Sequence, residues 1–442
     1  MRKFCLILLS IGLITAFSMP AAAADVKFDG SYVAQGTYDN NRKLADPTYG
    51  SVSSIWQRAR IGTTFKIAEG LTFTTRFDAM EKVWGAAAGY AATPDTISEN
   101  IKFENAFVTF AVPIGTFQAG YMNRGAWGTV YGNNSETDNG ARARYIFVTG
   151  PVTVRAVWDK VEGSKGVVAT QYGTAGYASE HDSEKFALEG WYKWNAGEAG
   201  LQLQYVLDTS NADSQATGYK AKYYAINPYA KAKFGPVYVE AELGFATGKY
   251  REYITENATI RMDQDISAWR GYIMANADLK PAYVGAVVFY ASGDKKTTDA
   301  NGTGSKYEGG VKTGNDFNPC LILMNYDMGR WYGAVGNYQT VANNIDNVFG
   351  GQLFAGIKPM PKLDVKFNVT TAKLNENPTT TELVSKKLGY EADLTAAYKI
   401  YDNLEYMIGF GYLWAGDAFK GTSSTNKVEN DYLVTHKLTL TF

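Results

Sequence analysis

The chain has 442 residues, with 43 Lys and Arg against 44 Asp and Glu, so its net charge at pH 7 is −1. This balance provides no basic surface for nucleic acid, and we expect no nucleic-acid partner. Two histidines and two cysteines are too few for a clustered metal site, so we expect no metal and no cofactor.

Residues 1–24 have the pattern of a secretory signal peptide. A basic start precedes an almost wholly apolar run at 4–17, and the small residues 22–24 suit a signal peptidase. We expect cleavage there, which leaves 25–442 as one domain. Cys320 is then the only cysteine, and no disulfide forms within the chain.

The remaining chain alternates apolar and polar residues instead of forming long apolar runs. It lacks the run of about 18 apolar residues that a membrane helix needs. From Ile55 to Ile67 a mostly apolar row alternates with a polar row, and after the turn 68–70 the alternation continues from Leu71 to Ala79. Segments of this kind are typical of a sheet with one face toward lipid and one toward water.

Short turns and long polar stretches follow one another regularly along the chain. With both ends on the short-turn side, eight turns predict an all-β, antiparallel up-and-down transmembrane barrel of about 18 strands. Sixteen to twenty strands stay open, because 321–340 fits either a long loop or one more hairpin. The turns centre on 68–70, 113–115, 150–151, 196–200, 234–236, 280–281, 359–361 and 401–403, and the long polar stretches include 132–140, 208–218, 293–318 and 416–430.

Tryptophans lie near the predicted strand boundaries, where an interfacial girdle would place them. The alternative explanation is that tryptophans are frequent in strands of every kind. The six residues are Trp56, Trp84, Trp158, Trp194, Trp269 and Trp414.

The last strand carries a distinct signal. Tyr432, Leu438, Leu440 and Phe442 lie on one face of it, and His436 is the one departure from that apolar row. A terminal phenylalanine after alternating apolar residues resembles the signal by which Gram-negative cells recognise outer-membrane barrels. The resemblance implies that the barrel-assembly machinery binds this strand.

Three segments extend the resemblance. Residues 105–110 with 115–121 resemble the early hairpin of Gram-negative porins, and 290–294 and 398–417 resemble parts of single-chain outer-membrane channels, including alginate-export-like porins. This implies a channel in the outer membrane, surrounded by lipid and lipopolysaccharide, through which small hydrophilic solutes diffuse. Both a monomer and a homotrimer are compatible with the resemblance.

The resemblance also directs attention to the third long connection, 125–141, because the third loop of porins commonly folds into the barrel. We expect it to be a candidate constriction, although an exposed loop fits the same composition. Its candidate residues are Trp127, Tyr131, Glu136 and Asp138.

Charged residues recur on the polar face of the predicted strands. A row of arginines on one side of the pore would favour anions and carboxylates, and facing acids would add a transverse field. Pairing of lumenal charges with one another is the alternative. The basic pore-lining candidates are Arg58, Arg60, Arg76, Arg142 and Arg155, and the acidic ones are Glu240, Glu242, Glu391 and Asp393.

Three functions compete on this reading. The leading one is a porin for ions and small hydrophilic solutes, the second a specific channel for a carboxylate or acidic saccharide, and the third a structural or adhesive barrel with a plugged pore. We do not expect an enzyme, because neither histidine has a nucleophile motif beside it.

Overall fold

The computed structural model describes residues 25–44, 51–85, 101–162, 183–212, 218–255, 262–295, 306–336, 345–377 and 382–442. The predicted signal peptide lies outside these ranges. Within them, no helix has the length and apolar character needed to cross a membrane.

Eighteen strands make up one sheet. They are β1 Asp25–Asp39, β2 Val52–Ala68, β3 Leu71–Val83, β4 Ile101–Val112, β5 Gly115–Gly125, β6 Asn134–Thr149, β7 Val152–Glu162, β8 Ser183–Trp194, β9 Gly197–Asp208, β10 Tyr219–Phe234, β11 Val237–Tyr253, β12 Gln264–Asp278, β13 Ala282–Ala291, β14 Val348–Met360, β15 Leu363–Leu374, β16 Lys387–Tyr401, β17 Leu404–Ala415 and β18 Asp431–Thr441.

Each strand pairs antiparallel with the strands before and after it, and β18 pairs with β1, so the sheet closes into a barrel. At this seam Gly30 N donates to Phe442 O at 2.9 Å, and Phe442 N donates to Gly30 O at 3.0 Å. The predicted barrel, its eighteen strands and all eight short turns are confirmed. Gly150 and Gly235 take the left-handed backbone conformation that such tight turns require.

The barrel wall is apolar outside and polar inside. In β15, Phe367 and Val369 are exposed on the outer surface, whereas Asn368 and Thr370 are buried within. Five of the six tryptophans predicted for the girdle are exposed near strand ends. The prediction is wrong for Trp56, which is 4% exposed and stacks on Trp331 at 4.7 Å between ring centroids. It faces inward because alternate residues of β2 share a face, which puts Trp56 on the same side as Arg58 and Arg60.

Two connections occupy the inside of the barrel. Loop L3, residues 126–133, joins β5 to β6. Loop L7 joins β13 to β14, and its described residues are 292–295, 306–336 and 345–347. It contains helix α1, Tyr326–Tyr332, whose first turn is capped where Asn325 Oδ1 accepts Met328 N at 3.0 Å. The 321–336 segment is therefore part of a long loop, as predicted, and adds no hairpin; 337–340 lie outside the described residues.

The hydrophobic core lies inside the barrel. Leu323 and Met328 of L7 pack with Leu388, Leu413 and Leu433, which project inward from β16, β17 and β18. A barrel lumen is usually wet, so this apolar cluster shows that L7 fills the lumen on one side.

Candidate functional site: the lumen of the barrel

Loop L3 crosses the lumen. Trp127 Nε1 donates to the carbonyl of Asn227 on β10 at 3.0 Å, and the Tyr131 hydroxyl donates to the carbonyl of Tyr290 on β13 at 2.5 Å. Strand β13 is almost opposite β5 in an eighteen-stranded ring. Tyr131 is fully buried, and burial raises the pKa of its hydroxyl, which therefore stays a donor.

Glu242 on β11 holds the middle of L3. One carboxylate oxygen accepts Thr129 N at 2.7 Å and Thr129 Oγ1 at 2.9 Å, and the other accepts Arg270 Nη2 at 3.0 Å. Gly132 lies so close that a Cβ there would be 1.8 Å from Glu242 Oε1. Only glycine leaves room for the carboxylate at this point.

Glu240 lies two residues before Glu242 on the same face of β11, and it accepts hydrogen bonds from two tyrosine hydroxyls. Tyr272 donates to it at 2.8 Å and Tyr238 at 2.9 Å. The Tyr272 ring stacks on Tyr131, with centroids 5.0 Å apart. Glu240 therefore fixes the aromatic surface on which L3 rests.

Loop L7 is held by the other two acidic candidates. Glu391 accepts Ile322 N at 2.6 Å and Leu323 N at 2.7 Å, and Asp393 accepts Leu321 N at 3.3 Å. Three consecutive backbone donors thus meet two carboxylates of β16. Glu391 is 0% exposed, so in this structure it anchors a loop and does not border open water.

The two loops are joined to each other. Asn133 Nδ2 donates to Asp316 Oδ2 at 2.6 Å, Asp316 N donates to Asn133 O at 3.2 Å, and Gly314 N donates to Tyr131 O at 2.8 Å. Together L3 and L7 form one internal structure, and L7 also contacts β2 and β3, where Trp331 stacks on Trp56 and Arg330 Nη2 lies 3.3 Å from Glu81 Oε1.

The wall formed by β2 and β3 carries three of the arginine candidates. Arg60 grips Asp78 with two hydrogen bonds of 2.7 Å and reaches Glu136 at 3.1 Å. Arg58 lies 2.9 Å from Glu136, and Arg76 donates to the Glu136 carbonyl at 3.2 Å. Glu136 is on β6, three strands past β3, so these contacts pass across the concave side of the barrel. Its side chain is 48% exposed, which shows that water reaches this wall.

The arginines of β6 and β7 are paired as well. Arg142 binds Asp159 through two hydrogen bonds of 2.6 and 2.9 Å. Arg155 lies 2.5 Å from Glu189, with its guanidinium 4.6 Å from the centre of the Trp191 ring. The predicted row of arginines is therefore interleaved with carboxylates.

Two interior guanidinium groups differ from the rest. Among the residues that the structure describes, Arg76 and Arg144 form no ion pair; Arg76 contacts a carbonyl, and Arg144 Nε donates to the Gln118 amide oxygen at 2.5 Å. Arg144 was missed in the sequence, although it follows Arg142 by two residues and so shares its face. Both side chains face the lumen with carboxylates in their surroundings, Asp78 and Glu136 near Arg76 and Asp159 and Glu189 near Arg144, but none of these is within ion-pair distance.

The constriction candidates divide between loop and strand. Trp127 and Tyr131 lie in L3, whereas Glu136 and Asp138 belong to β6, because the connection ends at Asn133 and not at Ala141 as the polar stretch indicated. Asp138 pairs with Arg124 at 3.0 Å. The start of β6 is polar but is part of the sheet, because Asn134 pairs with Gly125 and Asn139 with Asn123 of β5.

The residues of the predicted assembly signal lie at the seam. The Phe442 ring fills the space beside Gly30, where a Cβ would be 2.7 Å from it. Tyr432 contacts Tyr38 on β1, with ring centroids 6.0 Å apart, and Leu438 and Leu440 pair with Ala34 and Tyr32.

One group of potential metal ligands occurs in the described part of the chain. Cys320, Glu391 and Asp393 bring ligand atoms within 4.8 Å of one another. Burial raises the pKa of the Cys320 thiol, which disfavours the thiolate, and both Glu391 oxygens already accept backbone donors. The group is therefore explained by its role in holding L7.

A cavity of about 260 Å³ lies beneath L7, inside the barrel. Lys366, Lys437, Asp327 and Asp393 are among the residues that line it. It provides a second polar space in the lumen, nearer the short-turn side than the L3–L7 junction.

A closed eighteen-stranded antiparallel barrel with loops folded into its lumen is the architecture of outer-membrane porins, and the chain has that fold. No protein-family model matches it, and no curated protein sequence does. Among solved structures, it is similar to OccAB2 of Acinetobacter baumannii, with a TM-score of 0.53, 12% identity and coverage of 94% of this chain and 98% of that one.

Two further structures are similar over almost the whole chain. The BenF-like porin of Pseudomonas fluorescens Pf-5 has a TM-score of 0.52 and 10% identity, with coverage of 95% and 99%. OpdK of Pseudomonas aeruginosa, crystallised with vanillate, has a TM-score of 0.51 and 10% identity, with coverage of 94% and 99%. The structural similarity establishes the fold. At identities this low it does not indicate the solute, which must be inferred from the chemistry of the lumen.

Proposed function

We propose that this chain is an outer-membrane channel, not an enzyme, that passes small hydrophilic anions, carboxylates above all, along the arginine wall of β2–β8. It is exported by its signal peptide and assembled through β18. The carrying observation is that Arg76 and Arg144 face the lumen and form no ion pair with any described residue.

The charge pattern supports a carboxylate solute. Planar guanidinium groups bind carboxylates with two parallel hydrogen bonds, as Arg60 does with Asp78 and Arg142 with Asp159. At Arg76 and Arg144 a passing carboxylate would meet the same planar donors and would compete with a carbonyl or amide oxygen instead of a paired carboxylate. The vanillate in the OpdK crystal is itself a carboxylate, which agrees with this choice.

The internal loops favour a narrow, selective route over a wide general pore. L7 brings an apolar core into the lumen, and L3 reaches nearly to the opposite wall, so solutes must pass close to the arginines. Field lines in such a confined passage concentrate on the charged wall, which strengthens selection by charge.

Single-channel recording in a planar bilayer tests the proposal. We expect steady conductance steps and a reversal potential, under a salt gradient, that shows anion preference. Arg76→Gln with Arg144→Gln should reduce that preference several-fold, whereas Lys427→Gln, which removes a charge from the exposed 416–430 loop, should not. Correctly folded protein with no conductance in any carboxylate salt would instead support a plugged barrel.

Solute discrimination provides the second readout. An aromatic or aliphatic monocarboxylate should block small-ion current as it occupies the wall, and its uncharged amide should not. Equal block by acid and amide would refute selection by the guanidinium groups.

A further inference from the structure

A groove of about 580 Å³ lies on the outer surface of the barrel, at the loop ends of β14–β17. Phe349, Tyr390 and Trp414 border it, and all three are exposed. The groove is on the lipid-facing side of the wall, at the rim that carries the long loops. In an outer-membrane barrel that rim faces the outer leaflet.

Backbone features keep the groove open. Gly351 points outward between larger residues, and a Cβ there would meet only the Val287 carbonyl, at 3.3 Å. Gly389 has φ +115, and a Cβ there would be 2.1 Å from the Trp414 carbonyl oxygen. The register between β15 and β16 shifts at this point, so the bulge and the missing side chains together leave an apolar channel.

Two lysines stand side by side at the groove. Lys373 and Lys387 are cross-strand partners, both are exposed, and neither forms an ion pair with any described residue. Like charges directly opposite on a sheet repel each other. Asp417 also lines the groove, and its carboxylate forms an ion pair with Lys420 Nζ at 2.9 Å. Lys373 Nζ lies over the Phe349 ring, 5.8 Å from its centroid, so the groove holds two neighbouring positive charges that no described carboxylate pairs.

We propose that this groove binds a phosphorylated lipid of the outer leaflet, with a phosphate between Lys373 and Lys387 and an acyl chain along Gly351. The inference rests on the proposed membrane location of the chain. An amphiphile fits because the site combines an apolar channel with a paired cationic end, whereas a free anion would use only the lysines. Aromatic residues at this level match the headgroup boundary.

Binding is tested on the refolded full-length barrel in detergent, by native mass spectrometry with the bisphosphorylated lipid anchor of lipopolysaccharide as the probe. We expect retained lipid on the wild type and roughly tenfold weaker binding with Lys373→Gln plus Lys387→Gln, because charge-assisted bonds to phosphate are lost. Lys362→Gln plus Lys427→Gln removes the same charge from an exposed turn and an exposed loop and should bind as wild type.

Two further experiments distinguish binding of the acyl chain from binding of the headgroup, and binding of a lipid from binding of a free phosphate ion. Gly351→Leu fills the channel but keeps both lysines, and it should weaken lipid binding several-fold; heat-modifiable migration on a gel shows that each variant has folded. Excess inorganic phosphate should not displace the lipid. Displacement by phosphate, or equal binding by the two double-lysine variants, would overturn the proposal.

Conductance measured on the same variants keeps this result apart from the channel proposal. Lys373 and Lys387 face away from the lumen, so their replacement should leave ion selectivity unchanged. If the protein binds the lipid but carries no current, only the channel proposal is contradicted. If it conducts but all variants bind the lipid equally, only the lipid-site proposal is contradicted.

Discussion

The two sides of the lumen use their carboxylates differently. Beside β2–β8, Asp78 and Asp159 accept arginine side chains, and water reaches the wall. Beside β11–β18, Glu242 and Glu391 accept backbone N–H groups of the inward loops. Carboxylates paired with arginine side chains thus maintain a hydrated charged surface on one side. Carboxylates paired with backbone N–H groups hold a loop on the other side.

The difference also separates selectivity from closure. Loops L3 and L7 occupy the lumen and are held by the carboxylates of β11 and β16, so changes at those carboxylates should alter how much of the lumen is open. Changes on the arginine side should alter which ions pass. Five substitutions, set out in four comparisons, test this division.

Glu391→Ala should have the largest effect. Ile322 N and Leu323 N would each lose a buried acceptor, at a cost of about 1–3 kcal/mol apiece, and L7 should detach from β16. We expect a several-fold rise in conductance and rapid protease cleavage within L7. Glu429→Gln, in the exposed 416–430 loop, is the control, and unchanged conductance in Glu391→Ala would show that L7 does not limit the route.

Gly132→Ala should come next. The added Cβ would overlap Glu242 Oε1 and approach Arg270 Nη2 to 2.6 Å, so L3 must move, at a cost of about 1–3 kcal/mol. Conductance should change while ion preference stays constant. At Gly190 a Cβ would come no closer than 3.9 Å to the Thr153 carbonyl, so Gly190→Ala should behave as wild type. A shift in ion preference with no change in conductance would argue against a purely steric role for L3.

Arg60→Gln should lower stability more than Arg58→Gln. Arg60 makes two short bonds to buried Asp78, whereas Arg58 pairs with half-exposed Glu136. We expect a loss of about 1.5–2 kcal/mol in the first case and less than about 1 kcal/mol in the second. Urea unfolding of the refolded barrel measures both, and equal losses would mean that lumen water screens the two pairs alike.

Glu136→Gln should have the smallest energetic effect, below about 1 kcal/mol, because the side chain is half exposed. It should nevertheless increase anion preference, since Arg58 and Arg60 would lose a shared carboxylate. The reversal potential under a salt gradient measures this. A decrease in anion preference would contradict the assignment of this wall as the selective one.

The strands were readable from the sequence because their signal is local. Alternation with period two and a tight turn define each hairpin, so the turns at 68–70 and 150–151 follow from the residues themselves. The facing of Arg144 follows from the same rule once β6 is placed. The start of β6 was not predicted as a strand because its residues are all polar, so the alternation of apolar and polar residues that marks a membrane strand is missing there.

The internal structure was not readable, because its contacts join distant parts of the chain. Nothing near Glu391 indicates that residues 322 and 323 will donate to it, and nothing near Trp56 indicates Trp331 as its stacking partner. Alternation places these side chains inside the barrel but says nothing of what fills it. Loop docking depends on three-dimensional closure, which sequence periodicity does not encode.

The seam between β1 and β18 sets a condition on assembly. Ser31 pairs with Thr441, so the ring closes only between residues at the two ends of the sheet. Before closure, both edge strands present unpaired backbone groups that can recruit other chains. Long-range pairing of this kind is slow, which prolongs that exposure. A chain of this topology therefore needs protection from self-association for as long as its final strand is unplaced.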